Sequence, residues 1–251
     1  MELSWKYKSI DKIKNCSGDN VDLRETQKTA LTAVFAALHV VLFLPEGPWR
    51  SFVIYLIPIE GIVLGPAIGF SAALLGSTIA RLIKPSMWWM FGIVAEPIGV
   101  ITAGLLAKGR WKEIMVIYGF MLSAYFIHPY GRMLPSWTIL DLLIAFILIY
   151  PVSKIGKWIW EKQAKRLPIA LILIAFISTV ADSMTRVFLL VPGGLYQYFG
   201  LSYEALACDW FIPGAVGSYI EDLLVSIATL IAGVPLLMSL RKILHLNNPL
   251  S

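Results

Sequence analysis

Eight ionisable side chains sit inside stretches that are otherwise apolar: Glu60, Arg81, Glu96, Asp141, Asp182, Arg186, Glu221 and Asp222. His128 and Arg132 stand at the edge of another such stretch. A charge within a lipid-embedded segment is costly, so such residues pair with one another, face a water-filled cavity, or do both. Asp182 and Arg186 are four apart and can pair along a helix, or the two can hold a polar solute. Glu221 and Asp222 are neighbours and point in different directions on a helix, so at most one is expected to face a cavity. Glu96 precedes Pro97, whose missing N–H frees a carbonyl one turn back, and either a kink or a binding role fits it. His128 has no second histidine at ligand spacing, since His39 lies in the first apolar stretch and His245 near the end, so no metal site is expected.

Signatures of catalysis are missing. There is no HExxH, GxSxG or Walker A motif. Gly69-Phe70-Ser71-Ala72 lacks the closing glycine of a nucleophile elbow, and no histidine is suitably placed to activate Ser71. The chain therefore reads as a non-enzymatic protein without a cofactor, and any ATP would be used by another chain.

Composition says what must position these residues. Of 251 residues 58% are hydrophobic and only 15% charged, and the mean hydropathy is +0.74. A soluble domain carries far more charge, so the expected fold is an all-α, polytopic transmembrane bundle. Residues 1–27 form a polar tail with a short surface helix near Trp5, 28–242 a single transmembrane domain, and 243–251 a short C-terminal tail. The tail lacks an apolar core of the signal-peptide kind, so the first span is expected to act as its own insertion signal. The net charge of +5 sits mainly in short loops and orients the spans, rather than pointing to nucleic acid.

Apolar segments are read at 28–44, 51–64, 67–83, 87–107, 114–128, 136–152, 168–191 and 213–240. Lys108, Arg110 and Lys112 mark one cytoplasmic loop, and Lys154, Lys157, Lys162, Lys165 and Arg166 another. Both termini are accordingly expected in the cytoplasm. Parity then requires 51–83 to cross twice, as two short helices turning at Gly65-Pro66 on the inner side. Its first half reaches only about 21 Å, so the helix count stands at six to eight. Cys16 and Cys208 fall on opposite sides, so no disulfide is expected. In this arrangement every intramembrane charge but Glu60 lies from mid-depth outward, as in a polar pocket open to the outside.

Three glycines, Gly61, Gly65 and Gly69, recur four apart, which suits close helix packing in lipid. The run ALTAVFAALHVVLF, followed by PIEGIVLGPAIGFSAALLGSTIARLI, resembles the substrate-binding S component of energy-coupling factor (ECF) transporters. The ending VSIATLIAGVPLLMSLRK is also similar to the family's last helix. The resemblance covers 28–107 and 213–242. It implies capture of a vitamin, vitamin precursor or similar small nutrient in the outer half of the bundle. It also implies that Ala33 and Ala37 dock on a transmembrane coupling subunit driven by two cytoplasmic ATPases. The family usually has six helices, so either 114–152 is an inserted pair or one segment does not cross.

The expected site is Glu96, Asp182, Arg186, Glu221 and Asp222 for polar contacts, with Trp49 and Trp88 as lid or stacking groups. Mixed charge there suggests a zwitterionic or multiply polar solute. The alternative is a self-sufficient proton-coupled transporter in which Asp182 or Glu221 relays protons; it predicts inverted repeats, and none is convincing. A non-transporting membrane scaffold or an unrecognised intramembrane enzyme is a third class, and a plain scaffold is disfavoured because it has no use for buried charge.

Overall fold

The computed structural model describes residues 25–45, 47, 50–160 and 166–244. The surface helix expected near Trp5, together with Cys16 and Trp49, lies outside the described residues. Among those described there is no strand. The helices are α1 (Glu25–Phe43), α2 (Ile57–Ile83), α3 (Trp89–Ala107), α4 (Trp111–Ile127), α5 (Leu140–Gly156), α6 (Leu167–Leu190) and α7 (Ile212–Leu244). Short turns of helix join them, including Phe52–Tyr55 before α2 and Leu195–Tyr198 before α7.

The unusual element is α2. Gly65 has φ 79° and ψ 177°, a region that only glycine enters without strain. Pro66 follows it and has no N–H to continue the helical ladder. The chain folds back there. A Cβ placed on Gly69 would lie 3.6 Å from Gly61 Cα and 3.5 Å from the Glu60 carbonyl oxygen. In a straight helix residues eight apart are separated by about 12 Å. The turn packs on α3, where a Cβ on Gly104 would come within 2.6 Å of Pro66 N. Thus α2 is a helical hairpin, as parity requires, but its first arm is shorter than the sequence suggests. Regular α-helix begins only at Ile57, so the arm 57–64 reaches about 12 Å, and the chain above it is a 3-10 turn.

Among the described residues six helical stretches are long and apolar enough to cross a membrane: Glu25–Phe43, Ile57–Ile83, Trp89–Ala107, Ser136–Trp160, Leu167–Leu190 and Tyr203–Leu240. Of the eight apolar segments, α2 holds two within one folded element, and α4, with 17 residues, is shorter than any of these six at about 26 Å. The large side chains facing outward, such as Val34, Leu75, Val116, Phe120, Ile147, Leu223 and Ile231, are apolar and exposed. This is the surface expected of a bundle whose solvent is lipid.

Helices α3 and α6 form the centre, each with 72% of its apolar window buried, whereas α1 has 11% and lies at the periphery. Glycine and alanine let the central backbones approach, and Tyr118 of α4 ties on by donating to the Ile177 carbonyl at 2.7 Å. Two ends are distinct. At one, Lys84 Nζ donates to the Leu44 carbonyl, and Trp88 meets Phe199 and Trp210. The Gly65-Pro66 turn, the α3–α4 loop and the end of α5 with Lys157 gather toward the other. Cys208 is exposed and has no disulfide partner among the described residues.

Candidate functional site

A cavity of about 480 Å³ opens at the end that carries Trp88, within the size range of small-molecule sites. Its polar lining is Arg50, Thr138, Asp141, Ser183, Arg186, Ser218 and Glu221. Its apolar lining includes Trp88, Phe91, Leu142, Val187, Trp210 and Phe211. Three helices supply most of the polar side chains for a common reason: α5, α6 and α7 are apolar enough to sit in the bundle and carry their acidic residues, Asp141, Asp182, Glu221 and Asp222, toward this end.

Arg50 enters from the chain between α1 and α2. Its Nε donates to Glu221 Oε2 at 2.5 Å, and its Nη2 donates to Ser183 Oγ at 3.1 Å. Its Nη1 donates to Asp182. One guanidinium thus ties α6 to α7, and its planar fork suits that double engagement. Burial alone would lower the Arg50 pKa, but Glu221 and Asp182 beside it outweigh this and hold it above the ordinary arginine range. Arg186 Nε donates to the same oxygen, Asp182 Oδ2, at 2.7 Å, and its Nη2 to Oδ1 at 3.1 Å. The pair four residues apart therefore closes as its spacing allows. The aromatic rim is compact: the Trp88 ring lies 4.3 Å from Phe199 and 4.6 Å from Trp210, centre to centre.

Beneath the cavity lies a second charged group, fully enclosed. His39 Nδ1 is 3.1 Å from Glu60 Oε2, and His39 Nε2 is 3.0 Å from Glu96 Oε2. Ser77 Oγ donates to Glu96 Oε2 at 2.5 Å. Arg81 donates twice to Glu96, at 2.5 and 3.1 Å. The hairpin makes this possible, because its two arms bring Glu60 and Ser77 to the same histidine. The order Ser77–His39–Glu60 has the connectivity of a hydrolytic triad, with Ser77 Oγ 3.0 Å from His39 Nε2. Ser77 is fully buried and does not line the cavity, and Glu96 accepts its hydroxyl.

The expected site residues divide accordingly. Arg186, Glu221 and Trp88 line the cavity. Asp182 stands just behind it and holds both Arg50 and Arg186. Glu96 is not a cavity residue; it is the hub of the enclosed group. Asp222 is buried away from the lining, with neither carboxylate oxygen partnered. Of the adjacent pair Glu221 and Asp222, only Glu221 faces the cavity, as helix geometry requires. Trp49 lies outside the described residues, and Trp210 stands at the rim. Arg50, Asp141, Ser183, Ser218 and His39 are further members. Asp141 already stood among the intramembrane charges, whereas Arg50 lies in the turn between two apolar segments and His39 within the first of them. Ala33 and Ala37 are exposed on α1. Among the described residues no group of His, Cys, Asp and Glu has metal-site geometry.

No family model matches the chain, and no solved structure matches it. Among curated proteins it is similar to an uncharacterized protein of Methanocaldococcus jannaschii, with 27% identity over 126 residues. The match takes in 49% of this chain and 42% of that protein, so it spans less than half the length of the relative.

Proposed function

We propose that the protein captures a small polar nutrient within the membrane and serves as the substrate-binding subunit of an ECF-type uptake system. The observation that carries this reading is the cavity itself. It is of small-molecule size, opens at one end of the bundle, and combines a charged floor with an aromatic rim. Lysine and arginine placement puts that end outside and both termini in the cytoplasm. A peripheral α1 with Ala33 and Ala37 exposed offers a small-residue face on which a coupling subunit can pack closely. The partners are then a transmembrane coupling protein and two cytoplasmic ATPases, and the solute is a vitamin, a vitamin precursor or a similar nutrient. Purification of the tagged protein from its own membranes tests this: the coupling subunit and ATPases should co-purify, and solute uptake should need ATP. Purification alone, with ATP-independent uptake, would overturn the assignment.

One observation favours a second reading. Ion pairs and hydrogen bonds run from Glu60 through His39 and Glu96 to Arg186, Asp182, Arg50 and Glu221. Such a chain is the kind of polar path a self-sufficient proton-coupled transporter uses. That reading expects uptake by the protein alone in vesicles, abolished by collapsing the proton gradient.

A further inference from the structure

The charges around the cavity do not cancel evenly. Arg50, Arg81, Arg186 and His39 are engaged by Glu60, Glu96, Asp182 and Glu221, four basic groups against four carboxylates. Two carboxylates remain. Asp141 is 6% exposed and lines the cavity. Its Oδ2 accepts from Ser218 Oγ at 3.0 Å and its Oδ1 from the Leu142 N–H at 2.9 Å. Neither bond supplies a positive charge, and each oxygen keeps a free lone pair. Asp222, one residue on from Glu221, is 2% exposed with both oxygens buried and unpartnered. Arg50 is the cation within electrostatic range of both, and it is already held by Asp182 and Glu221. Burial without a counter-charge makes the ionised form of such a carboxylate costly, and a cation seated against Asp141, which lines the cavity, relieves that cost.

Resting on the reading of this cavity as a solute site, we infer that its solute carries an organic cation, seated at Asp141 and Ser218, with an apolar or aromatic body against Trp88, Phe91 and Trp210. The remaining geometry agrees. Both arginines at the floor are already held by carboxylates, so an anionic group would compete with Asp182 and Glu221 for them. The indole rings at the rim are suited to a cation as well as to an apolar body. A bare inorganic cation would leave most of the 480 Å³ empty. The mixed charge that suggested a zwitterion is therefore largely consumed within the protein.

The test uses the full chain in detergent or nanodiscs and three probes of similar shape: tyramine (cationic), 4-ethylphenol (neutral) and 3-(4-hydroxyphenyl)propionate (anionic). Binding is read by isothermal titration, with sodium chloride as a further arm. Tyramine should bind saturably and at least about tenfold more tightly than the other two, the scale of a charge-assisted hydrogen bond. D141N should remove that preference, and Trp88→Ala should weaken every probe that binds. Should D141N fail to fold, Asp222→Asn carries the same test with a smaller expected loss. Equal binding of all three probes, still sensitive to Trp88→Ala, would overturn the cation inference and leave the cavity as a solute site. Sodium binding that depends on Asp141, without tyramine preference, would replace the organic cation by an inorganic one and overturn the inference. No binding that responds to Trp88→Ala for any probe would overturn the solute-site reading itself.

Discussion

Arg186 of α6 and Glu96 of α3 meet across the bundle, Nη2 standing 3.6 Å from Oε1. This contact joins two charged groups that otherwise belong to different parts of the molecule. Above it, Arg186 shares Asp182 with Arg50 and thereby touches the cavity. Below it, Glu96 gathers His39, Ser77 and Arg81 from α1 and the second arm of α2. A solute at the floor of the cavity would therefore act on side chains that also hold α1 and the hairpin.

Replacing Arg186 by alanine leaves Asp182 with Arg50 alone and separates the two groups. Breaking a buried pair by removing one partner costs about 3–5 kcal/mol, and partial exposure of Arg186 places this site at the lower end. Solute affinity should fall at least about tenfold. Glu221→Ala should also weaken binding, because Arg50 loses its contact to α7. Equilibrium binding to both purified variants checks this, and wild-type affinity in both would refute the pocket assignment.

His39→Ala should be more damaging to the fold than to solute recognition. It removes the group between two buried carboxylates, Glu60 and Glu96, and a loss of about 3 kcal/mol or more is expected. His39→Gln keeps hydrogen bonding but cannot carry a proton. If the chain of ion pairs moves protons, His39→Gln abolishes proton-driven uptake while the thermal midpoint holds; in the ECF reading, ATP-driven uptake survives.

Two glycines separate packing from binding. A Cβ on Gly92 would lie 1.5 Å from Arg81 Nη2 and 2.7 Å from Glu96 Oε1, so Gly92→Ala must displace the guanidinium. A loss of about 1–3 kcal/mol is expected from such overpacking. Gly214 lines the cavity and has nothing within 4 Å of the added carbon. Gly214→Ala should leave the melting temperature within a few degrees of wild type yet reduce affinity for a bulky solute. Denaturation curves and binding on the same two samples decide it.

Ala33→Leu and Ala37→Leu put bulk on an exposed face of α1. Surface changes of this kind shift stability by about 0.5 kcal/mol or less, so solute binding should be unchanged. Recovery of a coupling subunit on affinity purification should drop sharply, because close packing of small residues would be lost. Full recovery with both substitutions would place the docking face elsewhere.

Much of the architecture was legible before any coordinates. The apolar runs marked the helices, Gly65-Pro66 marked the turn within 51–83, and the charge parity of the loops required the chain to reverse there. The Asp182–Arg186 pair was one of the two arrangements that their spacing allowed. The limits of helix 57–64 were not legible, because apolar composition does not distinguish α-helix from the 3-10 turn at Phe52–Tyr55. Nor was the place of Glu96, since its partners His39 and Arg81 lie on other helices.

The amino-acid sequence by itself determined the apolar, all-helical character of this protein and the set of charges that had to find partners inside. Local spacing and hydropathy carry that information because each helix must satisfy its own backbone in lipid. Which charge meets which was decided by tertiary structure alone. Arg50 reaches Asp182 and Glu221, 132 and 171 residues away, and no local pattern encodes distances of that length. The same long-range pairing consumes the arginines and leaves Asp141 and Asp222 without a positive partner among the described residues. The charge character of the cavity is therefore a property of how the helices assemble.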